Sequence, residues 1–172
     1  MKSGASSHHD HTSGPPTSVP CMVITCSDTR TEATDASGAV IMNALKERGH
    51  TVAAYHVVND EPAAIRKLVK AGAKNAHIQA IIVNGGTGIS RRDSTFEAID
   101  ALLEKRLEGF GEIFRYLSYQ EIGSAAIMSR AVAGVFHHTV VFSIPGSEKA
   151  VRLAMDKLIL NELGHIVREM GK

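Results

Sequence analysis

Tryptophan is absent from the 172 residues, and Phe and Tyr bring aromatics to only 5%. So few rings leave little on which bases could stack. The net charge of +1 supplies no basic field for a phosphate backbone or an anionic membrane surface. Nucleic acid is therefore not an expected partner. No apolar run approaches the ~20 residues of a membrane span, and the N-terminus lacks the apolar core of a signal peptide. Cysteine is scarce too: Cys21 and Cys26 sit five positions apart in one apolar run. On a strand that odd separation puts them on opposite faces, so they are not expected to pair. Reduced thiols and a cytoplasmic location are the expectation.

What is present suits one folded unit. Hydrophobic residues make up 44% of the chain and charged ones 22%, enough for a single compact domain over residues 20–172. Residues 1–19 are rich in Ser, Gly, Pro, Thr and His and read as a disordered tail. His8, His9 and His11 in that tail are read as having no specific metal role.

Elements alternate along the chain. Cys21 to Cys26 reads as a buried strand. Asp35 to Arg48 reads as a helix, with Val40, Ile41, Ala44 and Leu45 at helical spacing and Gly49 as its stop. Thr51 to Val58 is a second strand. Glu61 to Lys74 is a second helix, with Pro62 in its first turn and Ile65, Leu68 and Val69 on one face. Ile78 to Val83 is a third strand.

Ser94 to Leu107 is expected as a third helix, with Phe96, Ile99, Leu102 and Leu103 inward and Ser94 and Glu97 forming a capping box. Residues 109–129 read as shorter, broken helices. Thr139 to Ile144 is a strand, pairing with 132–136 across His137-His138. A long helix starts near Ser147, with Val151, Ala154, Met155, Leu158, Ile159 and Ile166 on one side. This order predicts a mostly parallel α/β sheet with helices on both faces. Ligands then sit beyond the carboxyl ends of the strands, where four loops converge: 27–34, 59–62, 84–93 and 145–147.

The most informative of these loops is Asn84-Gly85-Gly86-Thr87-Gly88, followed by Arg91, Arg92 and Asp93 and then a helix start. Glycines let backbone N–H groups approach a ligand, and successive N–H groups form a concavity for anions. The pattern is neither the G-x-x-x-x-G-K-[ST] loop nor a good G-x-G-x-x-G. Spacing alone leaves it open between a ligand cradle and a structural turn. The neighbours are equally double-edged. Asp60 suits a metal carboxylate or a helix N-cap before Glu61-Pro62. Ser27 and Asp28 suit a ligand or a strand end. Arg91 and Arg92 suit phosphate or solvent. For Asp93, Ser94 is available as the cap, leaving the carboxylate for a ligand. Glu112, just after Gly109 and Gly111, is expected in loop-like surroundings facing ligand.

Taken together, Ser27-Asp28, Asp35-Ala36-Ser37-Gly38, Gly85-Gly86-Thr87-Gly88 with Arg92-Asp93, Glu97-Ala98, Gly109-Phe110-Gly111-Glu112, Met128-Ser129-Arg130 and Pro145-Gly146-Ser147 resemble the MoaB/MogA family of molybdenum cofactor biosynthesis. That family includes the G domain of gephyrin. The resemblance spans about residues 20–165 and is nearest the MoaB branch from Gly109 onward. It implies a three-layer α/β/α fold and a homotrimer or homohexamer. It also implies molybdopterin as substrate, ATP as co-substrate and Mg²⁺. In active members the pterin's terminal phosphate is adenylylated and pyrophosphate released.

On this resemblance the catalytic and metal-holding aspartates are Asp60 and Asp93. Ser27, Asp28, Asn84, Gly85, Gly86, Thr87, Gly88, Arg92, Glu112, Ser129, Pro145, Gly146 and Ser147 bind substrate. Two positions depart from the family pattern: Asn84 stands for the usual Thr and Phe96 for the usual Pro. Two functions follow as rivals, a molybdopterin adenylyltransferase and a MoaB-type protein that holds a pterin intermediate without transfer. A generic nucleotide-binding domain is the third.

Overall fold

Six strands form one sheet: β1 (Pro20–Cys26), β2 (Thr51–Val58), β3 (Ala80–Asn84), β4 (Lys105–Arg106), β5 (Val132–Phe136) and β6 (Thr139–Ile144), in the order β2-β1-β3-β6-β5-β4. The computed structural model describes residues 18–172. The tail reading, with His8, His9 and His11, therefore lies outside the described residues except at Ser18 and Val19. Val19 is buried, its N–H donating to His50 Nδ1 at 3.2 Å.

β2, β1, β3 and β6 run parallel, while β5 and β4 are antiparallel additions at one edge. Central parallel strands are covered on both faces, which is why β1, β3 and β6 read as continuous apolar runs. Val23, Ile82 and Phe142 pack towards α1 (Ala36–Glu47) and the C-terminal helices, and Ile24, Val83 and Val141 pack towards α2 (Pro62–Lys74) and α3 (Thr95–Asp100). Three α/β/α layers result. Cys21 and Cys26 fall in different cores, both as free thiols. Burial pushes each thiol up to about 12. Among the described residues no helix is long and apolar enough to cross a membrane.

The structure corrects three expectations. The helix read over Ser94–Leu107 is only the six residues of α3. The chain then turns so that Glu104 and Leu107 donate to Val135 and Ala133 carbonyls and β4 joins the sheet. Gly134 permits this approach, since a Cβ there would lie 2.3 Å from the Lys105 carbonyl oxygen. Sheet pairing overrides helical periodicity. Phe96 is accordingly half-buried under Arg130 rather than in a core.

The capping box is absent as well. The Ser94 hydroxyl donates to Asp60 Oδ1 at 2.9 Å, and Glu97 pairs with Arg130. Finally, residues 109–129 break only once, at Gly123, rather than into several short helices. α4 (Glu108–Ile122) runs fifteen residues into a 3-10 stretch, Gly123–Met128. Gly109 and Gly111 are tolerated near its start. Gly111 has a packing reason, because a Cβ would lie 2.7 Å from the Ala131 carbonyl oxygen. The last helix runs from Glu148 as expected, through α5 (Glu148–Ala154), a π turn at Met155–Ile159 and α6 (Leu160–Met170).

Asp35 ties the α1 face together. Its carboxylate, fully buried, caps Gly38 N–H at 3.0 Å and accepts from Tyr55 Oη at 2.7 Å and from Arg30 Nη1 at 3.4 Å. Burial alone pushes its pKa up. Bonds from Gly38, Thr25, Tyr55 and Arg30 outweigh that, and the net shift is downward. A depressed carboxyl stabilises the fold above its unfolded value of about 3.9 and loses that contribution as pH falls through the folded value. Tyr55→Phe is expected to cost about 1.5–3 kcal/mol at pH 7, the range for a hydrogen bond to a charged group. In urea denaturation the gap to the parent should close as pH drops below about 3.9. An unchanged midpoint at pH 7 would refute the assignment.

Candidate active site

A cavity of about 410 Å³ opens at the carboxyl ends of β3 and β6. That volume is in the range of small-molecule sites. One wall is the glycine loop, Gly85 to Gly88, with Asp93. A second is the turn Pro145 to Ser147 leading into α5. The third is the C-terminal part of α4 with the 3-10 stretch, including Ser118, Glu121, Met128 and Ser129.

The loop's path is fixed by two glycines with positive φ, Gly85 at +96° and Gly86 at +60°. A Cβ on Gly85 would sit 2.2 Å from the Cys26 carbonyl oxygen. One on Gly86 would sit 2.1 Å from Asp60 Oδ2 and 2.2 Å from Thr95 Oγ1. The chain there presses against β1 on one side and against Asp60 and the start of α3 on the other. Gly85 N–H donates to the Ile144 carbonyl, and the Gly86 carbonyl accepts from Thr95 N–H. The next four N–H groups, of Gly86, Thr87, Gly88 and Ile89, donate to no acceptor among the described residues. Consecutive unspent N–H groups in such a loop suit an anion.

The two candidate aspartates differ. Asp93 lines the cavity, and its Oδ2 accepts from Ser90 N–H at 3.0 Å. Asp60 is buried and does not line it. Its Oδ1 accepts from Ser94 Oγ at 2.9 Å, Thr95 Oγ1 at 3.1 Å and Ser94 N–H at 3.3 Å. Asp60 thus caps α3 from another loop. It is not the N-cap of α2, a position Glu61 fills without a side-chain bond.

The remaining expected residues divide. Ser129, Pro145, Gly146 and Ser147 line the cavity with the loop. Arg92 does not: it is exposed and held by Asp28 at 2.6 Å and Glu61 at 3.1 Å. The Arg92 hydrogen bond, with the one from Asp60 N–H, holds the Asp28 carboxyl below the usual range. Ser27 closes the end of β1, its Oγ accepting from Thr29 and Arg30 N–H. Asn84 lies wholly buried beneath the loop. Its amide donates to Thr25 Oγ1 at 2.8 Å, and its Oδ1 has no partner among the described residues. Glu112 is exposed on α4, away from the cavity, in helical rather than loop-like surroundings.

Sequence reasoning missed Ser118, Glu121 and Lys149, which also line the cavity. Ser118, Glu121 and Ile122 share one face at i, i+3 and i+4, a periodicity legible only if α4 is read as continuous. Lys149, two residues past Ser147, is a cation at the cavity where Arg92 was expected.

Residues 22–165 match the family described as "Probable molybdopterin binding domain". The chain belongs to this family. Within its MoaB/MogA members it is 57% identical over 164 residues to Molybdenum cofactor biosynthesis protein B of Bacillus subtilis, covering 95% of this chain and 96% of that protein. A crystal structure of a Molybdenum cofactor biosynthesis protein B superposes with a TM-score of 0.90 at 52% identity, covering 92% of this chain and 99% of the other. The tungsten cofactor synthesizing protein MoaB from Pyrococcus furiosus gives 0.81 at 36% identity, over 91% and 99%. The MoaB/MogA fold expected from the motifs is therefore the fold observed.

In this MoaB/MogA framework Gly86 combines a positive φ with a close approach to side chains on two sides. Gly86→Ala should cost more than about 2 kcal/mol, from a positive φ and the collision with Asp60 and Thr95. It should also displace the cavity wall. Urea denaturation measures the first effect; a variant as stable as the parent would mean that the close packing is wrong.

Proposed function

We propose that this protein acts in molybdenum cofactor biosynthesis as a molybdopterin adenylyltransferase. The terminal phosphate of molybdopterin attacks the α-phosphorus of ATP. A P–O bond forms to the adenylyl group, and the α–β bond breaks to release pyrophosphate. Such a transfer needs the two anions held in geometry with their charge offset, more than it needs covalent help. One observation carries the reading: a glycine loop with unspent N–H groups and an open carboxylate, Asp93, line a single cavity of about 410 Å³.

Within this reading the glycine loop binds an anionic group, Lys149 offsets charge, and Ser129 and the Pro145–Ser147 turn bound the pterin. Mg²⁺ takes one or two carboxylates plus phosphate oxygens. Asp93 fits it, since Oδ1 accepts no hydrogen bond among the described residues and the residue lines the cavity. Asp60 fits through Oδ2 only, Oδ1 being committed to α3. When bound, Mg²⁺ supplies neutralisation of the triphosphate. Two free buried thiols accord with a cytoplasmic location.

A second reading rests on Asp60. A buried carboxylate that already accepts three hydrogen bonds suits a scaffold as well as a catalyst. The alternative is a protein that holds a pterin intermediate without adenylyl transfer. Purified protein with molybdopterin and Mg-ATP separates the two. Pyrophosphate release is expected, falling at least about a hundredfold in Asp93→Asn while molybdopterin binding persists. Binding without release selects the carrier; unchanged turnover in Asp93→Asn removes Asp93 from the mechanism.

A homotrimer or homohexamer is part of the proposal. α4 and the 3-10 stretch expose Ile113, Tyr116, Tyr119, Ile122, Ile127 and Met128, and clustered exposed apolar residues mark interaction surfaces. Light scattering should give a mass three or six times the 18.4 kDa chain. A mass of one chain would overturn it.

A further inference from the structure

Arg130 stands behind the glycine loop rather than in the cavity, and its guanidinium has no spare role. Nε donates to the Thr87 carbonyl at 2.8 Å and Nη2 to the Gly88 carbonyl at 2.8 Å. Nη1 and Nη2 also donate to the Glu97 carboxylate. The plane lies over the Phe96 ring, 4.7 Å from its centroid. Glu97 is held below the usual carboxylate range chiefly by this arginine. The planar fork of an arginine can meet two carbonyls and a carboxylate at once, and an ammonium cannot do so with fixed geometry.

Peptide geometry gives this clamp a consequence. All the peptide bonds described are trans, so each carbonyl points opposite to the next residue's N–H. With the Thr87 and Gly88 carbonyls turned onto Arg130, the N–H groups of Gly88 and Ile89 must point away from it. Those are two of the four N–H groups without an acceptor among the described residues. The loop lines the cavity and Arg130 does not.

We infer that Arg130 is a positioning residue that locks the Thr87–Gly88 and Gly88–Ile89 peptide planes and so presents two N–H donors to the anionic part of the ligand. Glu97 and Phe96 hold the guanidinium in the orientation this requires. The inference rests on the reading of the loop as an anion cradle, and Arg130 touches no ligand itself. Phe96 gains a purpose here: it gives this chain an aromatic seat for the clamp.

The test compares the full-length parent with Arg130→Lys and Glu97→Gln. Three readouts are taken: melting temperature, ¹⁵N amide order parameters of Gly88 and Ile89 without ligand, and molybdopterin affinity. Arg130→Lys keeps the charge and loses the fork. It should fold, its two amides should drop from the rigid range near 0.85 towards about 0.6, and affinity should fall about tenfold or more. Glu97→Gln should do the same more weakly, by about threefold, and decides the matter if Arg130→Lys folds poorly. Rigid amides and parental affinity in the folded variants would overturn the inference. If the parent binds no molybdopterin, the functional reading fails. The amide order parameters then decide the clamp alone, mobile in the variants if it exists and unchanged if it does not.

Discussion

The carboxylate of Asp60 is the constraint on which the site's geometry depends. It projects from the end of β2 and accepts three hydrogen bonds from Ser94 and Thr95, at the start of α3. The same side chain presses against the bare α-carbon of Gly86. A buried carboxylate is tolerated when hydrogen bonds offset its lost hydration. The polar residues opening α3 supply three of them to Oδ1, and the helix end gains a cap it does not possess itself. The loops after β2 and β3 are thereby fastened to each other. The glycine loop has its shape before any ligand arrives.

A second fastening acts from the opposite face of the sheet. Asp35 organises the start of α1, and Arg30 joins it to Ser37. The Ser37 hydroxyl donates to the Gly146 carbonyl at 2.7 Å. Gly146 in turn packs on Gly85, and a Cβ there would lie 2.8 Å from the Gly85 α-carbon. The turn after β6 and the loop after β3 therefore meet backbone to backbone, with Asn84 buried below them. Two separate polar networks, one per face, converge on the same few residues of loop. Rigid placement of this kind lets backbone donors act without reorganising.

Much of this was legible in the sequence, for physical reasons. Buried parallel strands must be apolar throughout, so β1, β3 and β6 announced themselves, and positive-φ turns demand glycine, so the loop did too. What failed to show was whatever depends on contacts distant in sequence. Ser94 and Glu97 have the spacing of a capping box, yet each finds a stronger partner far along the chain, Asp60 for one and Arg130 for the other. Leu102 and Leu103 keep a helical spacing, yet β4 forms because Gly134 leaves room beside it. Gly109 and Gly111 read as breakers, yet α4 is continuous, and with it the face carrying Ser118 and Glu121 was lost to view. The motifs carried the family. Which cation faces the cavity and which is tied up elsewhere was fixed by three-dimensional pairing alone.

That pairing divides the charged residues by task. Arg92 is spent on Asp28 and Glu61 at the outer edge, and Arg130 on the back of the loop. Arginine suits both duties because its fork satisfies several oxygens in one plane. Lys149 is the cation lining the cavity, and an ammonium on a flexible stem can follow a phosphate as it moves. The aspartates divide in the same way. Asp60 is buried and saturated on one oxygen, whereas Asp93 is bound through one oxygen and open on the other. A site that must both hold a ligand rigidly and handle changing charge needs groups of both kinds. Here the rigid ones lie outside the cavity or beneath it, and the adaptable ones line it.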